Sequence, residues 1–253
     1  LMRIGVDVLP AIPKDTTDRN RTSPLAFTGN KFELRMLGSS QSIAGPNVAL
    51  NTIMAEELRK FADELEVAAD FDSALQRLVS KALKEHQRII FNGNGYSQEW
   101  QEEAARRGLS NHSSTAQSLP TYASPKNIDL VTRHGIFTEE EFLARNDIHM
   151  DSYCKIVSIE AKTSVDMVLH QILPAAISYT NTLCDTIMKK QSVGATCKAE
   201  KDLVGILSGA TDALYDLTEQ LKEALAKVPT ERVQAIAYYH DVISVLMEKL
   251  RAE

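Results

Sequence analysis

From Thr138 to the end of the chain, apolar side chains recur at intervals of three and four, a periodicity that fixes most of the fold as helix. Thr138-Glu139-Glu140-Glu141 reads as a capping box, in which a threonine hydroxyl and a glutamate carboxylate each satisfy an exposed backbone N–H. The pattern that starts there continues to about Lys190, with a kink expected at Pro174, where one helical hydrogen bond must be lost. Leu203, Leu207, Ala210, Leu214, Leu217, Leu221 and Leu225 form a stripe on the next helix. Pro229 separates it from a last helix carrying Val233, Ile236, His240, Ile243, Met247 and Leu250. Three long helices joined by short turns predict an antiparallel bundle.

Upstream the signals are mixed. Asn127 to His134 predicts a short helix closed by Gly135, and Leu109 to Lys126 is polar, holds Pro120 and Pro125, and lacks helical periodicity, as a long connection with room for one short helix does. A helix is expected from Val48 to about Val67, with Leu50, Ile53, Met54, Leu58, Phe61 and Leu65 toward a core. Another should run from Asp72 to Ile90 with Leu75, Leu78, Val79, Leu83 and Ile90 inward, capped by Asp70 or Asp72. Asn92-Gly93-Asn94-Gly95 ends it as a tight turn, lacking the strand–loop–helix setting of a phosphate cradle. Ser97 can cap a short helix ending before Gly108, with Arg106-Arg107 at its electronegative end. Met2 to Leu9 reads as a strand and Lys14 to Pro24 as a loop. The expected class is α+β, predominantly α-helical, with domains at 1–108 and 127–253 joined by a linker at 109–126.

Composition excludes several functions. In 253 residues, a net charge of −6 without a long basic run argues against nonspecific nucleic-acid binding. No apolar stretch approaches the ~20 residues of a membrane span, and none reads as a signal peptide. Cys154, Cys184 and Cys197 have neither metal-ligand spacing nor an even count, and read as reduced thiols packed on helices. The six histidines show no paired metal-ligand spacing, and His170 and His240 fit helix interiors or boundaries. Asp15 and Asp18 read as loop caps.

Chemistry concentrates in Lys31-Phe32-Glu33-Leu34-Arg35-Met36, which alternates charged and apolar residues. On a strand, Lys31, Glu33 and Arg35 share one face, while Phe32, Leu34 and Met36 share the other and can anchor the strand in a core. A carboxylate between two cations can serve a metal, a phosphate or an acidic substrate; it can equally be a surface salt-bridge ladder.

The wider segment resembles glutamine synthetase of type III. The resemblance is carried by Pro13-Lys14-Asp15-Thr16-Thr17-Asp18-Arg19-Asn20-Arg21-Thr22-Ser23-Pro24 and Phe27-Thr28-Gly29-Asn30-Lys31-Phe32-Glu33-Leu34-Arg35. Gly38-Ser39-Ser40-Gln41-Ser42 and Gly45-Pro46-Asn47 follow, and further on come Arg88-Ile89-Ile90-Phe91-Asn92-Gly93-Asn94-Gly95-Tyr96-Ser97 and Ile172-Leu173-Pro174-Ala175. This resemblance makes residues 1–108 the end of a catalytic domain and 127–253 a helical C-terminal domain, and the abrupt start at Leu1-Met2 is expected of a fragment.

The resemblance implies ATP-dependent ligation of ammonia to L-glutamate through a γ-glutamyl phosphate, in a cytoplasmic homo-oligomeric ring, with Mg²⁺ or Mn²⁺. It assigns Glu33 as a metal ligand, Arg35 to the glutamate substrate, Arg21 to the transferred phosphate and Lys31 to the nucleotide region. Leu25-Ala26-Phe27 is apolar where the family usually carries more basic residues, so any cation needed there comes from elsewhere. The chain alone is expected to be inactive. Two alternatives are a non-catalytic helical oligomerisation or interaction module, and a homologue that ligates another amine.

Overall fold

The computed structural model describes residues 21–29, 31–36, 38 and 41–253. The expected strand at Met2–Leu9, the loop residues before Arg21, and Asp15 and Asp18 lie outside the described residues. Described residues form a predominantly helical chain with one small antiparallel sheet, in two compact units, 1–111 and 112–253.

In the first unit, β1 (Leu25–Phe27) pairs antiparallel with β2 (Phe32–Leu34), Leu25 opposite Leu34 and Ala26 opposite Glu33. The turn between them closes where the Thr28 N–H donates to the Lys31 carbonyl at 2.9 Å, with Gly29 at a φ of 89°. That left-handed conformation costs glycine nothing and most other residues a clash.

Two helices follow, α1 (Ala44–Glu66) and α2 (Phe71–Glu85), the second capped by Asp70, which accepts from the Ser73 N–H and hydroxyl. The stretch expected to extend α2 to Ile90 instead tightens into a 3₁₀ turn at Gln87–Ile89. Ser97 caps α3 (Gln98–Arg106), and Gly108 ends it at a φ of 68°. Of the apolar stripes expected on α1 and α2, Leu78 is buried, beside Ala74, and most of the rest is not. Ile53, Met54, Leu58, Val79 and Leu83 are exposed, and the buried positions of α1 are Thr52 and Glu56. Glu56 pairs with Arg59 of the next turn at 3.2 Å.

The second unit opens with α4 (Thr115–Tyr122) and α5 (Pro125–Arg133). Helix α4 is the one short helix for which the connection had room, and it tolerates Pro120 near its end. Tyr122 stacks on Phe142 with ring centroids 4.7 Å apart, so packing overrides the local preference. From Glu139 the chain runs as α6 (Glu139–Met167), a π-helical turn at Val168–Ile172 and α7 (Leu173–Ser192). Then come α8 (Lys198–Ala226) and a last rod made of α9 (Arg232–Tyr238), a π segment at Tyr239–Ser244 and α10 (Val245–Ala252).

Short turns make successive rods antiparallel, and their inner faces form one core of Val157, Ala161, Val168 and Leu173 with Leu214, Leu221 and Ala224 and with Tyr239, Ile243 and Leu250. Leu221 and Ile243 are completely enclosed. At ~25 cal/mol per Å² of apolar surface removed from water, each contributes roughly 1.5–3 kcal/mol. Arg232 locks α9 to α6 through Asp147 at 2.7 Å and Asp151 at 3.1 Å. All three cysteines are free, with Cys197 buried. Among the described residues no helix is long and apolar enough to cross a membrane.

Candidate functional site

The charged face of β2 is assembled as its alternation requires. Glu33 accepts from Arg35 Nη2 at 2.9 Å through one carboxylate oxygen and meets Lys31 Nζ at 3.3 Å through the other. Arg35, then Lys31, hold its carboxyl below the usual carboxylate range. The residue across the ladder is Ala26, which is fully buried.

The opposite face departs from expectation. Phe32, Leu34 and Met36 do not anchor a core: Phe32 is 66% and Met36 73% exposed, and Leu25 and Phe27 of β1 stand open beside them. Phe27 and Phe32 instead meet each other, ring centroids 5.2 Å apart. The sheet has two strands and among the described residues no layer against that face, so the apolar half of the alternation is left uncovered.

Arg21 is exposed at the start of the described chain, and the segment it begins runs directly into the sheet. Two residues of that segment are fixed by backbone bonds from elsewhere. The Arg35 N–H donates to the Pro24 carbonyl at 2.7 Å, and the Gly95 N–H donates to the Thr22 carbonyl at 2.6 Å. Arg21 is therefore carried by the same small scaffold as Lys31, Glu33 and Arg35. The strand face itself gathers two cations and one carboxylate, and Arg21 is tied to it through the backbone of its segment.

A single carboxylate is not a metal site. Glu33 has the hard oxygen donors Mg²⁺ or Mn²⁺ prefers, but the described residues hold no group of three side chains able to bind a metal ion. His170 meets Asp166 of its own helix at 2.9 Å and His240 the adjacent Asp241 at 2.7 Å.

Sequence reasoning missed the role of Arg107. Placed at a helix C-terminus, it also donates Nη1 to the carbonyls of Arg88 at 3.1 Å and Ile90 at 2.8 Å and pairs with Glu103. Its guanidinium lies 6.0 Å from the centre of Phe91 and 5.6 Å from that of Trp100, and those rings stack at 4.4 Å. The only local signal was an aromatic on each side of the Asn92–Gly95 turn.

A model of the glutamine synthetase C-terminal domain matches residues 74–191, from α2 into α7. The type-3 glutamine synthetase of Dictyostelium discoideum is 41% identical over 189 residues, 74% of this chain and 26% of that protein. A glutamine synthetase of Butyrivibrio fibrisolvens is 37% identical over 250 residues, 94% of the chain and 35% of that protein. One from Bacteroides fragilis is 34% identical over 233 residues, 88% and 32% respectively. The chain thus spans about a quarter to a third of the length of these curated relatives. The domain match lies beyond β2, but the Butyrivibrio alignment omits too little of the chain to leave out the Arg21–Arg35 segment. Kinship over so much of its length, with the site strand inside it, makes this chain a member of the glutamine synthetase family, in its type III branch.

Proposed function

We propose that the complete gene product ligates ammonia to L-glutamate with ATP, through a γ-glutamyl phosphate, as a cytoplasmic homo-oligomer. The observation that carries this reading is the Lys31–Glu33–Arg35 face held on one scaffold with Arg21. Arg35 offers the planar guanidinium fork that matches a substrate carboxylate. Arg21 offers the same fork to the transferring phosphoryl group, where charge spreads over three oxygens. Lys31 adds a point charge toward the nucleotide. A Mg²⁺ or Mn²⁺ ion would take Glu33 as one ligand and needs others that the described residues do not supply. For that reason residues 1–253 assayed alone are expected to form no glutamine.

The test is substitution in the complete gene product. Glu33→Gln and Arg35→Ala should each lower kcat/KM for ATP-dependent glutamine formation by on the order of 10²–10³-fold while circular dichroism stays unchanged. Turnover within twofold of wild type in both would remove these residues from the site.

A second reading concerns the bundle. Ile148, Ile156, Ile159 and Met167 fall on one outer face of α6 and are all exposed, which suits subunit contact. Charge reversal among their neighbours should then change the oligomer size measured by light scattering and spare the chemistry at β2.

A further inference from the structure

The Asn92–Ser97 loop reaches back to the segment that carries Arg21. Its Gly95 N–H meets the Thr22 carbonyl at 2.6 Å, one residue along from that arginine. Gly95 does not have a positive φ, so its dihedral is not what calls for glycine. Proximity is: a Cβ on residue 95 would lie 2.9 Å from the Thr22 oxygen and 3.5 Å from the Ser23 Cα. Those are backbone atoms and cannot rotate aside, so any side chain there pushes the loop away from the bond.

The loop is mounted rigidly on α3. The Asn94 carbonyl accepts from the Ser97 N–H at 3.1 Å and from its hydroxyl at 2.7 Å, and Ser97 caps the helix. On the other side, Arg107 grips the carbonyls of Arg88 and Ile90 while Phe91 stacks on Trp100. From the opposite direction the Arg35 N–H holds the Pro24 carbonyl. The Arg21 segment is thus pinned between the strand that bears Glu33 and a loop that bears no charge of its own.

We infer that Gly95 is a positioning residue for Arg21, with the Arg107–Phe91–Trp100 stack as its mount; the inference rests on the phosphate role proposed for Arg21. Gly95 touches no substrate in this scheme. It sets the main chain from which the arginine reaches, and a reacting group displaced by ~1 Å loses on the order of 10²-fold in rate.

The experiment is a double-mutant cycle in the complete gene product, with kcat for glutamine formation measured for wild type, Arg21→Ala, Gly95→Ala and the double variant. Trp100, the only tryptophan, reports through its fluorescence whether the mount is formed. Gly95→Ala should lower kcat by on the order of 10²-fold with Trp100 emission unchanged. In the Arg21→Ala background the same change should cost less than about twofold, because a residue acting through another has nothing left to position. An equal loss in both backgrounds overturns the inference, since it marks a general structural role. Wild-type turnover in Gly95→Ala, with Arg21→Ala impaired, overturns it while sparing the role of Arg21. Wild-type turnover in Arg21→Ala removes both. Should Gly95→Ala not fold, Arg107→Met enters the same cycle: a loss that disappears without Arg21 sustains the inference, and one that persists overturns it.

Discussion

Glu33 and Glu103 are both held ionised by flanking cations, yet the two carboxylates face different tasks. At Glu33 the cations are Lys31 and Arg35, and the carboxylate keeps them aligned on one face. At Glu103 the cations are Arg106 and Arg107, which lower its pKa from 4.5 to about 2, and the result is structural. A carboxyl whose folded pKa is depressed contributes stability that is complete above the unfolded value of 4.5 and is lost as pH falls through about 2. The Phe91–Trp100–Arg107 stack should therefore hold at neutral pH and loosen between pH 4.5 and 2. Trp100 fluorescence followed in a urea titration at successive pH values should show the wild-type midpoint dropping across that window. Glu103→Gln, which cannot ionise, should start lower and change less there. Identical pH profiles for the two proteins would show that the pair does not stabilise the stack. Nothing in the sequence distinguished Arg107 from Arg106, because the carbonyls it grips belong to residues brought near only by the turn.

At the scale of elements, local signals were readable where the satisfying group lies within a few residues. Thr138 and Glu141 form the reciprocal bonds of the capping box, 3.2 Å and 2.9 Å, as their spacing announces. Thr138→Ala should destabilise the bundle by about 1 kcal/mol, read as a lower urea midpoint by circular dichroism. An unchanged midpoint would mean that the tertiary contacts of α6 hold its first turn without the cap. The hairpin was half legible. The alternation of Lys31–Met36 announced β2, but the three apolar residues of β1 were read only for the charges they lack. Pro174 was read as a lost hydrogen bond. The helix absorbs it through a wider π turn just upstream, in which the Leu173 N–H donates to the Val168 carbonyl, making room for the ring against the preceding turn. The second π segment, at Tyr239–Ser244, carries no proline, and no residue type marks it. The stripes of α1 and α2, of which Leu78 alone is buried, mislead for a different reason. Periodicity identifies the apolar face of a helix but says nothing about whether a partner layer is present to cover it.

Across the whole molecule, burial is unevenly divided, and that division is measurable. The hydrophobic core cluster lies entirely within residues 157–250. In the first unit, by contrast, the apolar faces of the sheet, α1 and α2 stand largely exposed. Within the proline-containing polar stretch at 109–126, α4 takes Thr115–Tyr122 and α5 begins at Pro125. Stability follows apolar burial, so the two units should not unfold together. Trp100 belongs to the first unit and most of the helix to the second, which gives each its own probe. Heating the 253-residue chain should therefore lose Trp100 emission before it loses the bulk of the helical circular dichroism. Ile243→Ala opens a cavity at a fully enclosed position and should cost about 2–5 kcal/mol. It should lower the second transition and leave the first where it was. Residues 112–253 expressed alone should melt cooperatively with the midpoint of that second transition, because every residue of the core cluster is retained. Coincident transitions, or a first transition that moves with Ile243→Ala, would instead show that the bundle and the site-bearing unit fold as one.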